Sequence, residues 1–348
     1  MIEFLADYGL FLLKTATIVI GVLVIIGFAA RSARKARPAP RERLKVKKLN
    51  EKYKAMERSL KHHILPGHKV KQLVKAEKKE NKAKRKAEKK GTDEESDKKR
   101  IFVLKFKGDI LASSVKSLRE EITALLKFCR EGDEVVLKLE SSGGTVIGYG
   151  LAASQLRRLK DHNIHLTVAV DKVAASGGYK MACVADHLVA APFALVGSIG
   201  VVWEQPNFHR LLKKNDIDYE LVTAGKFKRT LTLFGENTEE GREKQTEELA
   251  DIHGLFKEFV SENRKALDIE QVATGECWYG PQALELNLVD ELKTSDDLLL
   301  EKSDDADIYE ISYKFADPLS ARISYSLNKI VRNFFYSMWQ TVGEGQYR

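Results

Sequence analysis

Two glycine pairs, each set directly behind a short apolar run, constrain this chain more than any other feature. Glu134-Val-Val-Leu-Lys-Leu139 is followed by Ser141-Ser142-Gly143-Gly144-Thr145, and Leu166-Thr-Val-Ala-Val170 leads into Ala174-Ala175-Ser176-Gly177-Gly178-Tyr179. Apolar runs of this length read as buried strands, and helical spacing resumes behind each turn, from Val146 to Lys160 and after Gly178. Ile101 to Phe106 and His187 to Ala191 read as further strands, and Val115 to Phe128 as a further helix. Strand–helix alternation of this kind predicts an α/β fold with mostly parallel pairing. In a parallel sheet both glycine turns emerge at one edge. A serine between a strand end and a helix start exposes its hydroxyl, and the N–H groups behind it point at whatever it attacks. The first turn can add donors beside it, which is the layout of an oxyanion hole, with fixed donors about 3 Å from the developing charge.

A serine nucleophile needs a base. His162, His165, His187, His209 and His253 are the histidines of this region, and none stands in a recognisable triad context. A lysine serves if burial lowers its pKa toward neutrality. Lys228 lies in Ala224-Gly-Lys226-Phe-Lys228-Arg229, behind the strand-like Tyr219 to Thr223. Lys180, four residues beyond Ser176, shares a helix face with it. The residue pattern alone leaves both open.

Four motifs then occur in order: Ala-Ser-Gly-Gly-Tyr at 175–179, Gly-Ser-Ile-Gly-Val at 197–201, Ala-Gly-Lys-Phe-Lys at 224–228, and Trp-Tyr-Gly-Pro-Gln-Ala-Leu-Glu-Leu-Asn-Leu-Val-Asp at 278–290. Their order and spacing resemble the signal peptide peptidase A family, most closely its SohB branch, over roughly residues 100 to 295. The resemblance implies a ClpP/crotonase-like fold of repeated ββα units and a serine endopeptidase with a Ser–Lys dyad, without metal or cofactor. By motif match Ser176 resembles the nucleophile and Lys228 the general base, while Lys226 and Lys180 fall outside the base position. The N–H groups of Gly144 and Gly177 would form the oxyanion hole. Two residues depart from the family pattern: Ser142 stands where proline is usual, and Arg229 where aspartate is common. Neither removes a reacting group. The implied substrates are unfolded or membrane-derived peptides such as cleaved signal peptides, and the implied assembly is a homo-oligomer. Two other readings are an acyl-CoA enzyme of the crotonase type on the same fold and a non-enzymatic membrane scaffold.

Around this body, residues 1–7 read as an N-terminal tail, 8–30 as a transmembrane anchor, 31–100 as a basic linker, 101–300 as the peptidase domain and 301–348 as a C-terminal tail. From Tyr8 to Ala30 the chain is apolar but for Lys14, and 23 residues exceed the roughly 20 needed to cross a bilayer. An acidic start, with Glu3 and Asp7, argues against a cleaved signal peptide. Residues 31–100 carry 27 Lys/Arg against 10 Asp/Glu, whereas 101–348 carry 30 against 38. The basic balance therefore belongs to a segment. That segment has a single aromatic residue, Tyr53, and no interleaved aromatics for base stacking, which argues against a nucleic-acid arm, and its first cations suit anionic lipid. The same cations predict a cytoplasmic flank, while the family resemblance implies a catalytic domain on the periplasmic face of a bacterial inner membrane. Cys129, Cys183 and Cys277 are distant and odd in number, so they predict free thiols. Ile330 to Trp339 is aromatic and amphipathic.

Overall fold

The computed structural model describes residues 43–72 and 98–315 continuously, with isolated positions elsewhere. The apolar run at 8–30, most of the Lys-rich stretch from Lys71 to Lys90, and the aromatic segment at 330–339 lie outside the described residues, apart from scattered positions in the first two. Among the described residues no helix is long and apolar enough to cross a membrane.

Leu44–Tyr313 forms one compact unit of mixed α/β architecture. Its strands are β1 (Arg43–Lys48), β2 (Lys99–Lys107), β3 (Glu134–Glu140), β4 (His165–Val170), β5 (Val173–Ala175), β6 (His187–Ala190), β7 (Leu195–Gly197), β8 (Cys277–Tyr279), β9 (Glu291–Leu292) and β10 (Ala306–Lys314). The helices are α1 (Leu49–Ile64), α2 (Val115–Phe128), α3 (Val146–Asp161), α4 (Gly177–Ala182), α5 (His209–Lys214), α6 (Glu239–Asn263), α7 (Ile269–Val272), α8 (Gly280–Glu285) and α9 (Ser295–Lys302).

The main sheet has the order β1-β10-β2-β3-β4-β6-β9. From β10 to β9 every neighbouring pair is parallel. Alternate residues of β2 enter different cores. Phe102, Leu104 and Phe106 pack with Leu118 and Ile122 of α2 and Leu156 of α3. Ile101 and Val103 pack with Leu49 of α1 and Leu298 and Leu299 of α9. With helices on both faces, the strands read as continuous apolar runs, as parallel sheets require. A second, three-stranded sheet has the order β5-β7-β8. It is short, but it holds the strand that enters the serine turn.

The ordered body is wider than residues 101–300. Arg43–Lys48 forms an edge strand, and Leu49 at the start of α1 is 5 % exposed. Asn50 then ties the segment to the far end of the chain: its side-chain amide donates to the carbonyls of Ser303 and Ala306, and its carbonyl accepts from Ile308 N–H at 2.8 Å. Lys48 pairs with Asp307 at 2.7 Å. A stretch read from composition as linker thus contains a sheet edge. At the other end β10 lies inside the sheet beside β2. Ile308 and Ile311 bury its apolar positions, and Tyr309 stacks on Phe102. The segment Tyr219 to Thr223 is not a strand; its side chains are exposed and its backbone pairs with no sheet.

Candidate active site

Ser176 sits between β5 and α4 with φ 52° and ψ −120°. A non-glycine residue held there costs of order 1–3 kcal/mol, and such strain persists only where surrounding structure enforces it. Three features enforce it here. The Ser176 N–H donates to Gly197 O of β7 at 2.8 Å. Its carbonyl accepts the Lys180 N–H at 2.9 Å, closing the first turn of α4. Gly177 passes against the ring of Tyr149 so closely that a Cβ would strike it.

The first glycine turn lies directly against the second. A Cβ on Gly143 would come within 2.8 Å of the Ser176 Cβ and 2.9 Å of the Gly177 nitrogen. Gly143 has φ +91°, so glycine is required there on both counts. Ser141 and Ala174 form an isolated parallel bridge, which joins the end of β3 to β5. A buried chain of hydrogen bonds then holds the turn. Gly143 N–H donates to Ser141 Oγ at 3.0 Å. Ser141 Oγ and Tyr149 Oη are 2.6 Å apart, and Tyr149 donates to Asp109 O at 2.8 Å. With the Tyr149 proton committed to Asp109, Ser141 is the donor to Tyr149. Every member of this buried network is satisfied, which is what makes such networks rigid.

The same geometry sorts the backbone donors. The amides of Gly143 and Ser176 are occupied, by Ser141 and Gly197. The amides of Gly144 and Gly177 have no acceptor among the described residues. Gly144, Ser176, Gly177, Lys180, Val201 and Phe256 are among the residues lining one cavity of about 30 Å³. The serine, both donor glycines and Lys180 are thus brought together.

Lys228 is not. It lies in an exposed loop, its own N–H donating to Gly225 O at 3.1 Å, and it makes no hydrogen bond to Ser176. Lys226 pairs with Glu240. Of the histidines, His253 faces Ile199 O at 3.3 Å and His187 faces Glu291 at 3.1 Å, and none reaches Ser176. Sequence reasoning missed the Ser141–Tyr149–Asp109 chain; the tyrosine was visible as an aromatic residue on a predicted helix, but nothing local marks its hydroxyl as a strut. It also missed Ser198, which has φ 53° directly behind Gly197. A larger cavity of about 400 Å³, lined by residues that include Leu44, Phe102, Phe128 and Tyr309, shares no residue with the serine cavity. Its walls are apolar apart from Arg100, paired with Asp133 at 2.6 Å, and Tyr309, whose hydroxyl donates to Asp307 at 3.3 Å.

Comparison with known proteins decides the family. Residues 3–156 match the family described as Peptidase family S49 N-terminal, and residues 158–309 match Peptidase family S49. A protein of Haemophilus influenzae, described as probable protease SohB, is 51 % identical over 322 residues, covering 91 % of each chain. The chain belongs to peptidase family S49. Within that family it falls in the SohB branch, and it is a peptidase of the serine type. A second probable protease SohB, from Buchnera aphidicola, is 54 % identical over 246 residues, 69 % of this chain and 73 % of that one. Among solved structures a point mutant of ClpP1 from Listeria monocytogenes matches 57 % of this S49 chain and 93 % of its own, at 12 % identity and a TM-score of 0.36.

The long motif at Trp278–Asp290 has a structural office in this S49 peptidase. Asp290 takes Arg264 in a two-pronged pair, at 2.7 and 2.8 Å, and accepts Leu188 N–H at 2.7 Å. Burial alone would raise its carboxyl, but the Arg264 guanidinium and the Leu188 amide hold it below the usual carboxylate range. Tyr179, the last residue of the serine motif, donates to Leu288 O at 2.9 Å. The motif therefore clamps α4 from behind.

Proposed function

We propose that this chain is a membrane-anchored serine endopeptidase whose nucleophile is Ser176 and whose general base is Lys228, acting on unfolded or membrane-derived peptides. The observation that carries the reading is the strained Ser176 backbone with the unoccupied amides of Gly144 and Gly177 around one cavity. Strain of this kind at a strand-to-helix serine is the signature of a nucleophile turn. The assignment of Lys228 rests on the match of Ala-Gly-Lys-Phe-Lys to the family motif, as does the ClpP/crotonase-like kinship of the fold.

In the reaction Lys228, as a neutral amine, takes the proton of Ser176 Oγ while Oγ adds to the scissile carbonyl carbon. The carbonyl π pair moves onto oxygen, and that oxyanion accepts from the Gly144 and Gly177 amides. Collapse of the tetrahedral species expels the leaving amine, which takes the proton from Lys228. Water, deprotonated by Lys228, then hydrolyses the acyl-serine and regenerates the enzyme. One oxyanion donor of this kind contributes about 3–4 kcal/mol to the barrier reduction.

The segment that bears Lys228 is open to solvent in a single chain. Residues 201–240 contain no buried side chain, and Val202, Phe208, Leu211, Leu221, Val222 and Phe227 are all exposed. Apolar exposure on this scale supports a second copy packing on the segment, so that the dyad is completed in a homo-oligomer. The test is co-expression of Ser176→Ala chains with Lys228→Ala chains. Each variant alone is inactive, and the mixture regains a substantial fraction of wild-type turnover if neighbouring copies complete the site. Activity that does not return on mixing places both groups in one chain.

The apolar run at 8–30 supports an inner-membrane anchor. The basic flank favours a cytoplasmic body and the family resemblance a periplasmic one, and reporter fusions after residue 100 separate the two.

A further inference from the structure

The cavity beside Ser176 holds a cation that the reaction does not use. Lys180 lies one helical turn from the nucleophile and lines the same cavity. Its ammonium stands 5.4 Å from the ring centroid of Phe256 and 5.5 Å from that of Phe259, both on α6. Among the described residues it has no carboxylate within 4.0 Å. Other partly covered lysines of this protein do: Lys48 has Asp307, Lys160 has Asp186, Lys293 has Glu291 and Lys302 has Glu134. Burial moves the Lys180 ammonium downward from the ordinary lysine range, against a raising pull from the Cys183 thiol, and no carboxylate adds to that pull.

A partly desolvated cation against aromatic faces gains from those rings. It gains far more from an anion brought into the same low-dielectric site. The position of the cavity says which anion. It touches Ser176 and both oxyanion donors, so it adjoins the carbonyl under attack. The side chain nearest to it is that of the residue on the acyl side of the scissile bond. At about 30 Å³ the cavity is small, which favours a short side chain over a long one. Val146, Val201, Ile252 and Phe256 make apolar walls, and the Tyr149 hydroxyl, also at the lining, is committed to Asp109 O.

The geometry points to Lys180 as a specificity-determining residue that selects a short acidic side chain, aspartate first, on the acyl side of the bond that is cut. This rests on the peptidase reading of Ser176 and deepens it. No chemical step is added, because Lys180 binds the substrate carboxylate as an ion pair and transfers nothing.

The experiment uses the full-length chain in detergent and three internally quenched peptides, C-terminally amidated, that differ only in Asp, Ala or Lys at the acyl-side position. The readout is the ratio of kcat/KM values within each enzyme. The wild type is expected to prefer Asp over Ala by about tenfold or more, the scale of one partly desolvated charge pair, with Lys slowest. Lys180→Met is expected to abolish that preference, and Lys180→Arg to keep it. An Asp/Ala ratio that is unchanged in Lys180→Met overturns the proposal. So does loss of all cleavage in folded Lys180→Met and Lys180→Arg, because Lys180 would then be the base. Should Lys180→Met not fold, Lys180→Gln carries the same comparison. A wild-type chain that cuts none of the peptides, or one whose cutting survives Ser176→Ala, fails the peptidase reading itself and is distinguished by that control.

Discussion

The amide of Ser176 donates to the carbonyl of Gly197 at 2.8 Å. That bond joins the serine turn to the small β5-β7-β8 sheet, and it leaves the Ser176 N–H occupied, unlike the amides of Gly144 and Gly177. Gly197 itself has φ +107°, and a Cβ there would meet the Trp278 ring at 2.7 Å. Gly197→Ala is therefore expected to cost about 1–3 kcal/mol of stability. The fall in peptide turnover should exceed what the loss of folded protein explains, because the clash displaces the carbonyl that anchors the Ser176 amide. Thermal unfolding and turnover per folded molecule, measured together, check both parts; a variant with wild-type Tm and activity would contradict the anchoring role.

Tyr149 supports the other half of the site. Tyr149→Phe leaves the buried Ser141 hydroxyl without its acceptor and the Asp109 carbonyl without its donor. The expected loss is about 1–3 kcal/mol, together with a lower kcat as the Gly143–Gly144 turn loosens. KM should change less than kcat, since the turn acts on the oxyanion. Steady-state kinetics with one peptide distinguishes this from a purely structural effect, which would leave kcat per folded enzyme intact.

Asp290→Ala probes the clamp behind α4. It breaks the two-pronged pair with Arg264, which is itself 10 % exposed in its side chain, and strands the Leu188 amide. A loss of about 2–4 kcal/mol is expected, within the range for removing one partner of a largely buried pair. Turnover per folded molecule should stay near wild type, as Asp290 touches no reacting group. Denaturant unfolding gives the first quantity and active-site-normalised kinetics the second.

Stability should also fall as pH rises through a window set by Glu121. Its carboxyl on α2 is 5 % exposed and accepts only Tyr313 N–H, at 2.7 Å, among the described residues. Burial pushes it up to about 7, against the pull of that one hydrogen bond. The folded state therefore holds a proton that the unfolded state has released between about pH 4.5 and 7, and linkage makes stability decline across that window. Glu121→Gln keeps the acceptor and removes the titration. The variant should match wild type near pH 4.5 and exceed it by up to roughly 3 kcal/mol at pH 8. Parallel curves of Tm against pH for the two proteins would sink this account.

Much of the fold could be read along the chain because its strands are buried on both faces. Val135 to Leu139 and Leu166 to Val170 are apolar at nearly every position, and α2 and α3 carry clean helical spacing, so the strand–helix alternation from Ile101 to Ala190 was legible almost residue by residue. The edges were not. In Arg43–Lys48 only Leu44 and Val46 alternate, and four cations hide them; the strand exists because Asn50 and Lys48 bind β10 at the far end of the chain, and no local pattern encodes that. The same contacts draw 306–314 into the sheet, although its mixture of Tyr, Glu and Lys resembles a tail. At the site, the two turns that bring Gly144, Ser176 and Gly177 together were legible because strand-to-helix turns have few solutions. Lys228 was reached only through a motif, since the loop that bears it is exposed and carries no periodic pattern.

The central claim is that Ser176 and Lys228 act as one catalytic unit with the Gly144 and Gly177 amides. The most direct measurement is turnover of a quenched peptide by the full-length wild type, Ser176→Ala, Lys228→Ala and the double variant, each shown to be folded. Groups that act together are strongly non-additive, so each single variant should lose at least about 1000-fold and the double variant no more than either alone. Wild-type turnover in Ser176→Ala or in Lys228→Ala would contradict the account.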